Sequence, residues 1–271
     1  MNQRTVVLVG MVALLSCCAG CRDKAETTPE KQETSREPAQ DAEAQEVVGE
    51  HHVLSYGLRR KASPSGLTEN QPPEGFVALF NGKDLTGWKG LVGSPKTRAG
   101  MSPQDLAEAQ VKADENMHAH WKVVDGVLVF DGKGHSLCTA KDYGDFELLV
   151  DWKIEAGGDS GLYLRGSPQV QIWDPVQRPV GSGGLYNNKK GPSKPLKCAD
   201  NPVGQWNTFR IIMVGERVTV YLNDVLVVDG VVLENYWERD KPIYPVGQIE
   251  LQSHSSPLYF SNIFIREIPP T

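Results

Sequence analysis

Three stretches of the sequence set polar and aromatic residues at every second position. In Gly161–Arg165, Leu162 and Leu164 alternate with Tyr163 and Arg165; in Gln169–Trp173, Val170 and Ile172 alternate with Gln169, Gln171 and Trp173. In Ile249–His254, Ile249 and Leu251 alternate with Glu250, Gln252 and His254. Successive side chains of a strand point to opposite faces, so the apolar sets would line a core and the polar sets a common outer wall, provided the strands are neighbours. A merely solvated face would favour Lys, Glu and Thr. Planar amides, an arginine, an acid, an imidazole and aromatic rings instead suit a sugar, whose hydroxyls take paired polar partners and whose apolar face stacks on rings. Plainer readings stand beside this one: Glu250 as an exposed carboxylate, His254 as a strand-end histidine, Arg165 as the ion-pair partner of Asp151 or Asp174, and Asp159 as a turn residue before Ser160-Gly161.

The elements that must position such a wall are short strands. Period-2 alternation between Gly, Pro, Asn and Asp punctuation predicts strands at Val77–Phe80, Trp121–Val124, Val127–Phe130, Phe146–Ile154, Gly161–Arg165 and Gln169–Trp173. It predicts more at Asn207–Val214, Arg217–Leu222, Val225–Asp229, Gly247–Ser253 and Leu258–Glu267. In Phe146–Ile154, Phe146, Leu148, Val150, Trp152 and Ile154 share one face, and Glu147, Leu149, Asp151 and Lys153 the other. Asp125-Gly126, Gly215-Glu216 and Asn223-Asp224 read as hairpin turns, which makes neighbours mostly antiparallel. One helix is expected from Ser102 to about Ala119: Ser102 as N-cap, Pro103 at the first position, Asp105 closing a weak capping box, and Leu106, Ala109, Ala113 and Met117 forming a narrow apolar stripe. The fold class that follows is all-β, a two-sheet antiparallel sandwich with one short surface helix. Trp88, Trp121, Trp152 and Trp206 read as core aromatics, and Gly181–Gly184 as a flexible loop. No Lys-Ser/Thr follows those glycines to make a phosphate cradle.

The 271 residues carry a net charge of −6 and no Lys/Arg-rich run, which argues against a nucleic-acid partner. Met1 to Arg4 is a short positive region and Thr5 to Leu15 an apolar run too short to span a bilayer, so residues 1–21 read as an export signal. Leu14-Leu15-Ser16-Cys17-Cys18-Ala19-Gly20-Cys21 resembles a bacterial lipoprotein signal with Cys21 as the lipidated residue and Cys17 as the alternative. Residues 22–72 are polar and nearly free of aromatics, a disordered linker in which His51-His52 is a solvated pair. The folded domain then spans residues 73–271. A lipid on the mature N-terminus would hold it at a cell or outer membrane, facing the periplasm or exterior. Cys138 and Cys198 remain for the exported domain, either bridged or as separate thiols.

The residues also resemble a family. Phe76-Val77-Ala78-Leu79-Phe80-Asn81-Gly82-Lys83-Asp84-Leu85-Thr86-Gly87-Trp88 is similar to the opening of the 3-keto-disaccharide hydrolase domain family. Further matches follow in order: Trp121 to Leu128, Tyr143 to Leu148, Gly158 to Arg165, Val170 to Asp174, Trp206 to Arg210, Gln252-Ser253-His254 and Phe260 to Ile263. The resemblance covers about residues 74–268. It implies a concanavalin-like jelly roll and cleavage of 3-keto-glycosides, in which a ketone at carbon 3 acidifies the proton at carbon 2 and a base removes it to expel the aglycone. On that reading Glu250 and His254 supply base and acid, Arg165 and Gln171 hold the enolate or hydroxyls, and Tyr163 and Trp173 form the platform. Gln169, Gln252, Asp159 and Asp174 complete the substrate contacts. Gln169 stands where many members carry an acid, and Ser261 where many carry Arg. No cofactor is expected; a divalent cation could assist the enolate, but no His/Asp/Glu spacing reads as a dedicated site. An oxidised substrate implies a separate glycoside 3-oxidoreductase upstream. The alternative is a non-catalytic glycan-binding module of the same fold.

Overall fold

A computed structural model describes residues 70–269. The export signal, Cys21, His51-His52 and almost all of the expected linker lie outside them. Thirteen strands and two helices follow in order: β1 (Val77–Ala78), β2 (Trp88–Gly90), α1 (Pro95–Ala99), α2 (Pro103–His120), β3 (Trp121–Val124), β4 (Val127–Phe130), β5 (Leu137–Thr139) and β6 (Phe146–Ile154). After these come β7 (Asp159–Leu164), β8 (Ser167–Trp173), β9 (Asn207–Val214), β10 (Arg217–Leu222), β11 (Val225–Val232), β12 (Glu250–Leu251) and β13 (Leu258–Glu267).

They form two sheets in which every pair is antiparallel. The large sheet runs β11-β10-β9-β6-β13-β4-β3, with β1 added on β13, and the small one β2-β5-β12-β7-β8. This is the expected two-sheet jelly-roll sandwich. Its core is the meeting of the two apolar sets read from the sequence: Phe146, Leu148, Val150, Trp152 and Ile154 of β6 against Leu162, Leu164, Val170, Ile172, Ile249 and Leu251 of the small sheet. Each such side chain contributes roughly 1.5–3 kcal/mol by leaving water.

The outer face of the large sheet is closed on itself. Glu147 takes Arg210 Nε at 2.6 Å and is also paired with Arg266. Leu149 is covered by Phe76 and Phe264. Asp151 accepts from Thr208 Oγ1 at 2.7 Å and Asn262 Nδ2 at 2.6 Å.

Helix α2 begins as expected, with the Ser102 side chain accepting from Asp105 N at 3.1 Å. Its stripe meets the edge strand β2, where Gly90 is required: a Cβ there would lie 2.0 Å from the Ala113 carbonyl oxygen. Gly90 N donates to Asp114 Oδ1 at 2.9 Å and Gly90 O accepts from Gln110 Nε2 at 2.9 Å, so helix side chains take the groups an edge strand would leave open. The opposite edge is covered too. Gly183 N donates to Gln171 O at 2.8 Å and Gly184 O accepts from Gln171 N at 3.0 Å. The segment expected to be a flexible loop therefore runs hydrogen-bonded along β8, because its glycines let the backbone come against the core at Val227 and against Ser193.

Other departures are local. The strand expected at Gly247–Ser253 is β12, two residues long, although Gln248 O and Gln252 N still bond to Gly166 N and Gly161 O. The fold starts earlier than residue 73, since Asn70 donates to Gly126 O at 3.0 Å and accepts from Asn262 N at 3.1 Å. Trp206 is only half-buried, under Lys153, while Trp88, Trp121 and Trp152 are core residues. Cys138 is buried and Cys198 exposed, and the two are not bridged.

Candidate functional site

The outer face of the small sheet brings most of the expected wall together. Register places Glu250 between Cys138 of β5 and Tyr163 of β7. On the next strand, a slip between Leu162 and Leu164 leaves β8 one residue longer, so that Gln169 leans over Gly161. A Cβ on Gly161 would sit 2.9 Å from Gln169 Cδ, which makes glycine the residue that gives the amide its room. Gln169 Nε2 donates to Gln171 Oε1, Gln171 Nε2 donates to Asp159 Oδ1 at 2.9 Å, and Trp173 Nε1 donates to Asp159 Oδ2 at 3.3 Å. Asp159, Gln169, Gln171 and Trp173 are thus one hydrogen-bonded chain beside Glu250. Asp159 does more than form a turn.

Along β12 and its flanks, alternation puts Gln248, Glu250 and Gln252 on this face. The Oε1 atom of each is buried with no hydrogen-bond partner. Leaving a buried acceptor unmade costs about 1–3 kcal/mol, so native structures rarely line three up without a purpose. The large sheet's outer acids, by contrast, are matched within the protein. Single unmet acceptors occur elsewhere, at Asn262 and Asp200, but the row of three on this face marks it as the one that awaits a ligand.

Glu250 is 2% exposed, and burial pushes its carboxyl up to about 8, with Arg98 pulling weakly the other way. The same burial, with Glu250 beside it, raises the Tyr163 phenol, so that group stays protonated at any physiological pH. The Cys138 thiol is pushed up to about 12 by burial and by Glu250, and is no nucleophile here. The cover over this end of the sheet is α1. Its capping box, Ser94 with Thr97, fixes a turn that sets Pro95 against Gly166. Arg98 Nη1 donates to Val92 O at 2.8 Å and Gly93 O at 2.9 Å, which pins the guanidinium over its own loop within electrostatic reach of Glu250. Trp237 Nε1 donates to Gly166 O at 2.7 Å, and Tyr236 packs on Trp237 with ring centroids 4.8 Å apart.

Three expected contacts go elsewhere. Arg165 is not on the wall. With Gly166 it forms the β7–β8 turn in the left-handed region (φ 53° and 73°), which breaks the alternation. Its side chain, 2% exposed, crosses to the large sheet, where Nε donates to Gly144 O at 2.8 Å, Nη1 to Gly215 O at 2.8 Å and Nη2 to Asp145. It is a strut between sheets, paired with neither Asp151 nor Asp174. Asp174 is spent on backbone: its carboxylate accepts from Gly157 N and Val176 N at 2.7 Å each, and the Gly157 bond leads in holding it below the usual carboxylate range. His254 is exposed beyond the end of β12, so the imidazole is not part of the buried group around Glu250.

Arg98, Gln248 and the aromatic pair Tyr236–Trp237 were not singled out from the sequence. Gln248 alone carried a readable signal, because it continues the alternation of Glu250 and Gln252 by two residues. Among the described residues no cluster of three or more His, Cys, Asp or Glu side chains forms a metal site.

A model of the 3-keto-alpha-glucoside-1,2-lyase-like domain matches residues 75–266, the whole sandwich. The chain belongs to that family. A relative described as a 3-keto-disaccharide hydrolase, from Bacteroides thetaiotaomicron, is 22% identical over 312 aligned residues, covering 93% of this chain and 97% of its own. Among solved structures, a candidate glycosyl hydrolase from Parabacteroides distasonis has a TM-score of 0.54 at 27% identity, covering 72% of this chain and 85% of that one. A second from the same organism has a TM-score of 0.51 at 24% identity, covering 75% and 98%, and shares the fold. These likenesses place this member of the 3-keto-alpha-glucoside-1,2-lyase-like family among carbohydrate-active proteins.

Proposed function

We propose that this chain cleaves 3-keto-glycosides by elimination, with Glu250 as the base. The observation that carries the reading is the buried carboxyl of Glu250, raised to about 8, with an unpartnered Oε1 in a row of unmet acceptors. A general base works best with a pKa near the working pH, and burial brings this one there. Glu250 takes the proton from carbon 2, next to the ketone at carbon 3. The electrons of that C–H bond pass first into the enolate, where the protonated phenol of Tyr163 and the cation of Arg98 stabilise the oxygen. They then form the C1–C2 double bond as the C1–O bond breaks. The leaving oxygen regains a proton from solvent on the open side. Water adding across the double bond completes a net hydrolysis. Gln248, Gln252, Gln169 and Gln171 suit the sugar hydroxyls. Glycosidases working on unactivated bonds use two carboxylates flanking the bond, whereas here the second carboxylate of the face, Asp159, has its oxygens engaged by Gln171 and Trp173.

The ketone has to be made by a separate oxidoreductase acting at carbon 3 of a glycoside. With the signal and Cys21 read from the sequence, the reaction would take place outside the cytoplasm at a membrane surface. The experiment is to incubate the full chain with 3-keto-trehalose and with trehalose, with and without chelator, following free sugar. Release from the keto substrate alone supports the reading, and the chelator arm shows whether a divalent cation takes part. No release from either, together with saturable glycan binding, would overturn it in favour of a recognition module.

A further inference from the structure

The segment that follows β11 is fastened to the turn that abuts Glu250. A Cβ on Gly166 would lie 3.5 Å from Glu250 Oε1, and the Gly166 carbonyl accepts from Trp237 Nε1 at 2.7 Å. Tyr236, one residue earlier, is fixed by its backbone N, which donates to Oγ of the neighbouring Ser167 at 3.1 Å. Buried Asn235 locks the bend itself, its Oδ1 accepting from Trp237 N at 3.1 Å and Glu238 N at 3.0 Å. The ring of Tyr236 is held as firmly as its backbone. The Arg239 guanidinium lies over it, 4.7 Å from the centroid, and Arg239 Nη1 donates to Asn187 O at 2.9 Å and lies 3.4 Å from Glu234 Oε2. Glu234 in turn accepts from Lys190 N at 2.6 Å and Gly191 N at 2.8 Å, so one carboxylate ties the arginine to the 187–191 loop.

This scaffold leaves the phenol hydroxyl unused. The hydroxyls of Tyr244 and Tyr259 donate to Glu238 at 3.0 Å and Glu155 at 2.6 Å, whereas that of Tyr236 has no hydrogen-bond partner among the described residues. Tyr236 is 38% exposed, and its hydroxyl stands within electrostatic reach of the Tyr163 phenol beside Glu250. A fixed, unpartnered O–H between a buried group and water is suited to passing a proton from one to the other. We infer that Tyr236 is a further catalytic residue, through which the solvent proton reaches the leaving oxygen. This inference rests on the function proposed above. As the C1–O bond breaks, its electron pair stays on the leaving oxygen, which takes the Tyr236 proton. The phenolate left behind faces the Arg239 cation. Water then adds its oxygen to carbon 1 and gives a proton to that phenolate, the electrons of the C1–C2 double bond pass into the ketone, and Glu250 returns its proton to carbon 2. Both groups end as they began, and one water is consumed.

The test compares 3-keto-trehalose, whose leaving oxygen needs a proton, with 4-nitrophenyl 3-keto-α-glucoside, whose nitrophenolate leaves without one, in the full chain and in Tyr236→Phe. Phenylalanine keeps the ring against Arg239 and Trp237 and removes only the hydroxyl. The variant is expected to lose about 10²-fold in kcat on 3-keto-trehalose and less than about threefold on the nitrophenyl glycoside. In deuterium oxide it should also exchange the carbon 2 proton of unreacted 3-keto-trehalose faster than it releases sugar, because Glu250 still removes that proton while the leaving oxygen goes unserved. A merely structural role for Tyr236 would lower both substrates alike. Equal losses on both, or no loss on 3-keto-trehalose, in an active parent would overturn the role of Tyr236 alone. A parent that neither cleaves these substrates nor exchanges carbon 2 would overturn the proposed reaction, and the role of Tyr236 with it.

Discussion

Glu250 and Arg165 are the two most deeply buried charged side chains near the small sheet, and they serve opposite ends. For Glu250 the folded protein favours the neutral carboxyl, so its contribution to stability is full below about pH 4.5, is lost progressively as pH rises, and levels off above about pH 8. Glu250→Gln should therefore flatten the pH dependence of the urea midpoint between pH 5 and 8, and gain on the parent at the upper end. In the same variant kcat/KM on 3-keto-trehalose should fall by about 10²–10⁴-fold, and the rising limb that the parent shows up to about pH 8 should vanish. Arg165→Met strands Asp145 and the carbonyls of Gly144, Gly215 and Tyr244, and an equilibrium denaturation should show a loss of about 3 kcal/mol. Were Arg165 catalytic, rate would fall without that loss.

Sequence alternation was enough to bring Tyr163, Gln169, Gln171, Trp173, Glu250 and Gln252 to one face. It misassigned Arg165 because a left-handed turn residue belongs to neither face of a strand. Arg98 was illegible for a different reason: it reaches the site through the path of a loop, which no periodicity encodes.

At the scale of elements, β6, β9, β10 and β13 of the large sheet matched their expected bounds, since six or more alternating positions make an unambiguous pattern, whereas β11 runs three residues past the expected Asp229 to Val232. The short strands β2 and β5 and the five-residue α1 went unseen, because two or three residues carry no period and depend on tertiary partners for their existence. Those unreadable pieces are the ones that cover and flank Glu250. Two glycines separate the structural from the functional part of this sheet. Gly90→Ala would drive a methyl into the backbone of α2 and is expected to cost about 1–3 kcal/mol, measured as a lowered midpoint of thermal or urea unfolding. Gly161→Ala meets the flexible side chain of Gln169, so the same measurement should move little while KM for the keto-sugar rises several-fold.

For the molecule as a whole, the two outer faces differ in kind: one has its acids matched by arginines, a threonine and an asparagine, the other holds acceptors in reserve. A ligand that satisfies those acceptors binds only the folded chain, so a saturating keto-sugar at 100 times its Kd should raise stability by about 2.7 kcal/mol. The Glu250→Gln variant, expected to be inactive on the proposed mechanism, allows that shift to be recorded without turnover. Peptide mapping after iodoacetamide treatment of the native protein should find Cys198 labelled and Cys138 protected, which would confirm that the wall beside Glu250 is sealed.

The small sheet has helix α2 along one margin and the Gly183–Leu185 segment along the other, so neither margin offers backbone to a newcomer. A sheet closed in this way keeps its curvature and the spacing of its rungs whatever is attached above it. Diversification can then proceed in the 91–101 and 174–206 segments, like interchangeable jaws on a fixed vice, altering what is held while Glu250 and Tyr163 stay in register.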